Sequence, residues 1–193
     1  VGPDEGDMAC GEYGPGRMAE VPEIIASVEA ALADGPLKGK HILVTSGPTH
    51  EPIDPVRYIA NRSSGAQGTA IARSLSAMGA DVTFVTGPAD VPPPDGVNVI
   101  KVQTAREMLD AVTTGLPADA AIFAAAVADW RMAEDQPSKI KKDGSGDVPS
   151  LQFAENPDIL ATVSTMTDGR PGLVAQQLRE LYIGMALAEV ESA

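Results

Sequence analysis

Aromatic side chains and cysteine are scarce in this sequence. Aromatic residues make up 4% of the 193 positions, although 44% are hydrophobic. We therefore expect a folded core built from Ala, Val, Ile, Leu and Met rather than a disordered chain. Cys10 is the only cysteine, which excludes an internal disulfide and is typical of a reducing compartment.

Long apolar runs and positive charge are also lacking. The longest apolar run, 120–128, is far too short to span a bilayer, and residues 1–5 have neither the basic nor the apolar segment of a signal peptide. Because they also lack an initiator Met, we expect the chain to begin within a longer protein. The net charge of −13 disfavours binding to nucleic acid and to anionic membranes, although a locally basic pocket is compatible with a nucleotide. We expect a cytoplasmic protein that binds neither nucleic acid nor a membrane.

Predicted strands and helices alternate from residue 37 onwards. The apolar pattern predicts strands at 42–44, 82–85, 97–102 and 121–127, helices at 66–78 and 104–112, a short helix opened by 156–158, and loops at 46–65, 91–96 and 141–150. Ahead of them, Ile24, Val28 and Leu32 predict a helix over 22–33, followed by a linker at 37–40. The alternation predicts an α/β fold with a mostly parallel sheet covered by helices on both faces.

The segment Asn61-Arg62-Ser63-Ser64-Gly65 comes directly before a predicted helix. Free N–H groups at a helix start favour an anion, and Gly65 allows close approach of the backbone, which fits a phosphate site. An ordinary helix capped by serine explains the same residues equally well. The segment is neither a Rossmann G-x-G-x-x-G nor a Walker A loop.

Two further segments follow predicted strands, where open α/β folds bind their ligands. The segment 46–54 carries His50 and Asp54 in a Pro-rich connection, and a stiffened connection without function is the simpler interpretation. In the segment 124–130, three alanines let a flat ring approach the backbone, and Asp129 is suited to hold a cation or a ribose hydroxyl. Close packing beneath a helix explains the alanines without a ligand.

A cluster of lysines and the single cysteine complete the candidates. Lys139-Ile140-Lys141-Lys142 groups three cations, which either neutralise phosphate or belong to a solvated turn. Cys10 lies in a Gly-rich segment and could donate a proton, although a lone cysteine is more often an inert apolar residue.

The order of these segments is more specific than any of them alone. Residues 9–20 resemble the substrate flap of phosphopantothenoylcysteine decarboxylase. The segments 47–57, 61–65, 124–129, 139–142 and 156–160 resemble phosphopantothenate–cysteine ligase, which most bacteria fuse to that decarboxylase. The resemblance implies the decarboxylase tail and a linker in 1–36, a partial ligase domain in 37–174 and a divergent tail in 175–193.

The resemblance also implies a Rossmann-like three-layer fold, with the C-terminal part of the domain missing, and a role in coenzyme A synthesis. CTP, carried with Mg²⁺, would activate 4′-phosphopantothenate as an acyl-cytidylate, and the amine of cysteine would displace CMP to give phosphopantothenoylcysteine. The parent protein would also decarboxylate this product to 4′-phosphopantetheine, using FMN bound in sequence absent here. It would form a homodimer or a higher homo-oligomer.

Site residues follow from the resemblance, position by position. Lys139 would support cytidylate formation, Asn61 would promote conversion to the amide, and Cys10 would be the proton donor of the decarboxylase. The nucleotide would lie against Ser63, Ser64, Gly65, Phe123, Ala125, Ala126, Asp129, Lys139, Ala154, Glu155, Asn156 and Pro157. Asp129 and Asp158 would contact the magnesium that accompanies CTP.

Several positions depart from the family's pattern. Ala66 and Glu155 stand where basic residues are common, and nothing after Val174 resembles the family. These departures keep a second hypothesis open, a truncated remnant that folds without turnover. A nicotinamide-dependent Rossmann oxidoreductase is a third hypothesis, but the glycine fingerprint is absent and no Tyr-x-x-x-Lys occurs.

Overall fold

The chain divides into two compact units, Val1–Gly35 and Pro36–Ala193. Their structure is known from a computed structural model, which describes residues 2, 4–7, 11–32, 35–134, 136–141 and 149–176. Cys10 lies outside the described residues, as do most of the loop predicted at 141–150 and the tail beyond Gln176.

The first unit is a small hairpin followed by a helix. Strand β1 (Asp4–Asp7) pairs antiparallel with β2 (Tyr13–Arg17), and helix α1 spans Val21–Leu32. The helix confirms the prediction from the spacing of Ile24, Val28 and Leu32 to within one residue at each end. The hairpin was not predicted, because its Gly-rich strands show no alternation of apolar and polar residues.

The second unit is built around a parallel sheet. In chain order its elements are β3 (His41–Ser46), β4 (His50–Pro52), β5 (Tyr58–Ala60), α2 (Ala66–Ala77), β6 (Asp81–Thr86), β7 (Asn98–Lys101), α3 (Ala105–Thr114), β8 (Ala120–Phe123), β9 (Trp130–Met132), β10 (Phe153–Glu155), α4 (Ile159–Ser164) and β11 (Leu173–Gln176). Five strands form the sheet in the order β11-β8-β3-β6-β7, with every neighbouring pair parallel. Strands β4 and β5 form one antiparallel pair, and β9 and β10 form another.

Helices cover both faces of the sheet, because neighbouring residues of a strand point to opposite sides. Ile42 and Val44 on β3 belong to a buried cluster with Ala72 of α2, whereas Leu43 between them packs with a cluster from α3 and α4. The fold is therefore the mostly parallel, Rossmann-like three-layer α/β arrangement that we predicted. None of its helices, within the ranges described, is long and apolar enough to cross a membrane.

The strand predicted at 121–127 was wrong in its extent. The strand β8 ends at Phe123, and from Ala126 onwards the alanine segment bonds to the β3–β4 loop instead of extending the ladder. The amide of Ala126 donates to the carbonyl oxygen of Gly47 at 2.8 Å, and the amide of Ala128 donates to Thr49 Oγ1 at 2.9 Å. The chain therefore leaves the sheet at its carboxyl edge.

The structure shows how two of the predicted helices, α3 and α4, begin. The capping box predicted at Thr104 and Glu107 is confirmed, since each side chain accepts a hydrogen bond from the other residue's backbone N–H. The helix predicted to open at 156–158 has Asp158 as its N-cap, so Pro157 directly precedes the cap. The loop predicted at 46–65 contains the β4–β5 hairpin.

Candidate active site

A cleft of about 410 Å³ lies at the carboxyl edge of the sheet, beyond β3 and β8. We call it the strand-tip cleft. It is lined by Thr45, Asn61, Phe123, Ala125, Ala126, Val127, Ala128, Asp129, Glu155, Asn156, Pro157, Asp158, Ile159 and Leu160. The cleft thus brings together residues from three separate predicted segments, 61–65, 124–130 and 156–160. Open α/β sheets bind ligands at this edge.

One wall of the cleft is the alanine segment that follows β8. Its amide N–H groups are used within the protein, because Ala124 donates to the Thr45 carbonyl oxygen at 3.2 Å and Ala125 donates to Thr45 Oγ1 at 3.3 Å. Ala126 forms a bridge with Pro48 as well. The amides of Ala124, Ala125, Ala126 and Ala128 are bonded within the protein, and so are the carbonyl oxygens of Ala126, Val127 and Ala128, so the small side chains of this wall are what a ligand would meet.

Asn156 supplies a buried polar group on the opposite wall. Its side chain is buried, and its Nδ2 donates to the Ala128 carbonyl oxygen at 2.8 Å, while its backbone N–H donates to the Asp129 carbonyl oxygen at 2.8 Å. Among the described residues nothing donates to its buried Oδ1. Leaving such an acceptor unpaired costs about 1–3 kcal/mol, so the cleft is suited to a ligand that presents an N–H or O–H donor.

Asn61 reaches the same cleft from the end of β5. Its Nδ2 donates to the Val127 carbonyl oxygen at 2.8 Å, which fixes the side chain against the alanine wall. Asp129 and Glu155 add exposed carboxylates at the rim. Ala154, in contrast, pairs with Arg131 in the β9–β10 ladder and is not among the described residues that line the cleft.

Ser63, Ser64 and Gly65 form the turn into α2 and lie beside the cleft rather than in its lining, as far as the described residues show. Ser63 Oγ accepts from the Gly65 amide at 3.3 Å and Ser64 Oγ accepts from the Ala66 amide at 3.4 Å. Ser46 Oγ donates to the Gly65 carbonyl oxygen at 3.0 Å, so the turn is tied to the end of β3. Gly65 has φ +76°, a conformation that glycine adopts without strain.

Lys139 and Lys141 are exposed, and the described part of the structure does not place Lys139 in the cleft lining. Their segment is attached to the tip of the β4–β5 hairpin through Ile140. The Ile140 amide donates to Asp54 Oδ2 at 3.2 Å, and Arg57 Nη2 donates to the Ile140 carbonyl oxygen at 3.3 Å. Lys142 lies outside the described residues.

Asp54 is the most heavily bonded carboxylate among the described residues that surround this region. Its Oδ1 accepts from the amides of Val56 and Arg57, each at 2.9 Å, and its Oδ2 accepts from Arg57 Nε at 3.0 Å and Nη2 at 2.5 Å. The Arg57 guanidinium, helped by the three backbone N–H donors, holds the pKa of Asp54 far below its ordinary value, even though burial opposes that shift.

The carboxylates predicted to contact magnesium differ in their availability. Asp158 Oδ1 already accepts from the Ala161 amide at 2.8 Å as the cap of α4, whereas Asp129 is exposed at the cleft rim. Within the ranges described, no group of three or more His, Cys, Asp or Glu side chains is placed to hold a metal ion by itself. A carboxylate such as Asp129 still fits a cation that arrives bound to phosphate, since Mg²⁺ in such sites takes few protein ligands.

A second cavity, of about 550 Å³, is lined by residues of β4, α3 and β9, and sequence reasoning missed it. Arg131 and Glu51 both line it. The Nε and Nη1 atoms of Arg131 are buried without a partner among the described residues, and the buried Glu51 accepts from the Ala105 amide at 2.9 Å through Oε1. The sequence carries no distinctive signal for it, because Glu51 stands in a polar, Pro-rich segment that contains other charged residues.

Comparison with known proteins places this arrangement in a family. A Rossmann-like α/β domain with its ligand cleft at the strand tips is the class that fold and site define. The DNA/pantothenate metabolism flavoprotein C-terminal domain family matches residues 37–179, and the chain belongs to this family.

Related proteins are similar to this chain in sequence and in fold. The chain is 47% identical over 171 residues to the coenzyme A biosynthesis bifunctional protein CoaBC of Vibrio vulnificus, and 45% identical over 176 residues to that of Escherichia coli. These matches cover 88% and 90% of this chain but 43% of each relative, so the chain spans less than half the length of these relatives. The crystal structure of the C-terminal domain of a CoaBC protein has a TM-score of 0.60 at 37% identity, covering 79% of this chain and 74% of that one.

Proposed function

We propose that this chain carries the CTP-dependent phosphopantothenate–cysteine ligase step of coenzyme A biosynthesis. The observation that carries the proposal is the strand-tip cleft, in which Asn61, the alanine wall, Asp129 and Asn156 meet although they come from distant segments. Its volume of about 410 Å³ lies within the usual range for small-molecule sites, roughly 300–1,000 Å³. The relation to CoaBC proteins supports the same reaction.

The proposed reaction has two balanced steps. A carboxylate oxygen of 4′-phosphopantothenate attacks the α-phosphorus of CTP, and the bond to the β,γ-pyrophosphate breaks with release of pyrophosphate. The amine nitrogen of cysteine then attacks the acyl carbon, the carbon–oxygen bond to CMP breaks, and the amine loses a proton. Such transfers depend mainly on positioning and on stabilisation of charge, which the fixed polar groups of a preformed cleft provide.

The cleft's groups suggest how a nucleotide would lie in it. The free Oδ1 of Asn156 would accept from a donor such as an exocyclic amine of the base. The small side chains of Ala125 and Ala126 would leave room for the same base to lie against this wall of the cleft. Asn61 would contact the acyl-cytidylate, and Glu155 and Pro157 would border the nucleotide.

Charge on the phosphates would be met by Lys139 and by magnesium. The metal ion is part of the substrate, because it arrives bound to the triphosphate, and Asp129 is the described carboxylate best placed to contact it. Ser63, Ser64 and Gly65 would border the phosphate end of the ligand rather than its base, since they lie at the turn beside the cleft.

The test is a reaction with purified chain, CTP–Mg²⁺ and 4′-phosphopantothenate, with and without cysteine. We expect pyrophosphate release without cysteine, and CMP and phosphopantothenoylcysteine after cysteine is added. The variant Lys101→Gln, which removes an exposed lysine from β7, is the matched control for Lys139→Gln. Only the latter should slow pyrophosphate release.

A folded chain that released no pyrophosphate would favour the alternative of a remnant without turnover. That alternative rests on the sequence after Val174. An oxidoreductase remains the weaker alternative, and enhancement of NADH fluorescence by the chain would support it.

A further inference from the structure

The β4–β5 hairpin connects two residues that the proposed reaction places in different steps. At its carboxyl end, Asn61 enters the strand-tip cleft and bonds to the Val127 carbonyl oxygen at 2.8 Å. At its turn, Asp54 and Arg57 hold the backbone of Ile140, which is the neighbour of Lys139 in sequence. One small element is thus attached both to the cleft wall and to the lysine segment.

The attachment at the turn is two-sided. Asp54 accepts from the Ile140 N–H, and Arg57 donates to the Ile140 carbonyl oxygen, so both hydrogen-bonding groups of one peptide residue are held. This arrangement resembles a single step of a β-ladder, but it is made by side chains. It fixes the backbone position of the segment 139–141 without occupying either lysine side chain.

The hairpin turn itself is rigid enough to serve as an anchor. The amides of Ile53 and Asp54 both donate to the Arg57 carbonyl oxygen, at 2.8 and 3.3 Å. The Asp54 side chain is completely buried, and its two oxygens together accept five hydrogen bonds, all from Val56, Arg57 and Ile140. Charge-assisted, two-pronged contacts of this kind restrict geometry more strongly than neutral ones.

We propose that Asp54 is a positioning residue, which acts through Arg57 and Ile140 to hold Lys139 at the phosphates during cytidylate formation. This inference rests on the proposed ligase function. Asp54 touches neither substrate nor cleft, so its effect on the reaction would pass entirely through the lysine. Displacement of a catalytic group by about 1 Å can cost on the order of 100-fold in rate.

The first test measures the clamp without any catalysis. Hydrogen exchange of the amides in 137–141 is followed in the unmodified chain, in Asp54→Asn and in Asp119→Asn. Asp119 is the matched control because it too accepts from a cationic side chain, that of Lys40 at 2.9 Å, and from a backbone amide, that of His41 at 2.9 Å, but lies at the opposite edge of the sheet. We expect faster exchange of the Ile140 amide in Asp54→Asn alone, and equal exchange in all three chains would overturn the clamp.

The second test asks whether Asp54 acts through Lys139. Pyrophosphate release without cysteine is measured at saturating CTP in the unmodified chain, Asp54→Asn, Lys139→Gln and the double variant. We expect Asp54→Asn to slow release about 10- to 100-fold, and the double variant to match Lys139→Gln within about twofold. Effects that multiply in the double variant would overturn the inference, because Asp54 would then act independently of the lysine.

The two failures are distinguishable. If the unmodified chain released no pyrophosphate, the proposed function would fail, and the positioning role with it, while the exchange measurement would still decide whether the clamp exists. If release occurred and exchange did not change, the proposed function would stand and the clamp would be refuted.

Discussion

At the scale of single residues, the site is defined by how each polar group is used rather than by which groups are present. Asn156 and Asp158 come from the same short segment, yet one keeps a free acceptor toward the cleft and the other spends its carboxylate on a helix cap. The resemblance implied that both would contact the nucleotide or its cation. Only the hydrogen-bond partners distinguish them.

Replacing Asn156 with Ala tests its two roles together. The variant leaves the Ala128 carbonyl oxygen without its donor, so we expect the free energy of unfolding to fall by about 1–3 kcal/mol. It also removes the free Oδ1, so we expect CTP affinity to fall by about tenfold. Denaturant unfolding and nucleotide binding measure the two effects, and the exposed Asn98→Ala is the control. Unchanged affinity in a folded variant would argue against the base contact.

The depressed pKa of Asp54 predicts a specific dependence of stability on pH. Because its pKa is lower in the folded chain than the ordinary 3.8, the ionised carboxylate stabilises the fold fully above that value, and the stabilisation is lost as the pH falls toward the folded-state pKa. The melting temperatures of the unmodified chain and of Asp54→Asn should therefore differ by a constant amount above about pH 5 and converge below about pH 4. The exposed Asp95→Asn serves as the control, and a difference that grew in acid would refute the assignment.

At the scale of elements, the helices and the strands of the parallel sheet could largely be predicted from the sequence, whereas the short antiparallel strand pairs could not. Helix α3 carries a capping box and an apolar face, and its boundaries followed from them. The hairpin β4–β5 has strands of three residues, too short for alternation to be visible. The end of β8 was missed because nothing in a continuous alanine run shows where the backbone stops bonding to the neighbouring strand. That point is set by the β3–β4 loop, to which the later alanines bond.

The packing of α2 on β3 gives a prediction for one glycine. A Cβ on Gly68 would lie 2.4 Å from Ser46 Oγ and 2.5 Å from Ser46 Cβ, so Gly68→Ala should destabilise the fold by about 1–3 kcal/mol despite alanine's better helix propensity. Adding Ser46→Gly removes the clashing atoms, and Gly68→Ala should then cost less. Thermal or denaturant unfolding of the four chains tests this, and an equal cost in both backgrounds would contradict it.

At the scale of the whole molecule, the resemblance predicted what composition could not. A net charge of −13 disfavours polyanions but gives no indication of a cleft at the strand tips lined by Asn61, Asn156 and several carboxylates. The three candidate segments that meet in the cleft are far apart in sequence, and parallel strand order brings their ends to one edge. The second cavity beside β9 could not be predicted, because Arg131 belongs to no recognisable motif.

Self-association of this chain is a whole-molecule prediction that follows from its exposed apolar side chains. Large apolar side chains are exposed on the antiparallel strand pairs β4–β5 and β9–β10, with Tyr58 55% exposed on β5, Trp130 55% on β9 and Phe153 51% on β10. We expect a homodimer or larger homo-oligomer by sedimentation equilibrium, and weaker association in Trp130→Ser than in the control Met78→Ser. A chain that stayed monomeric at about 100 μM, far above a micromolar dissociation constant, would contradict it.

Equilibrium dialysis with labelled CTP and Mg²⁺ tests the central claim most directly. The account predicts saturable binding by the folded chain, weakened by Asn156→Ala and unaffected by Asn98→Ala. Binding that is absent at millimolar CTP, or that is insensitive to the change at Asn156, would contradict the assignment of the strand-tip cleft as the nucleotide site.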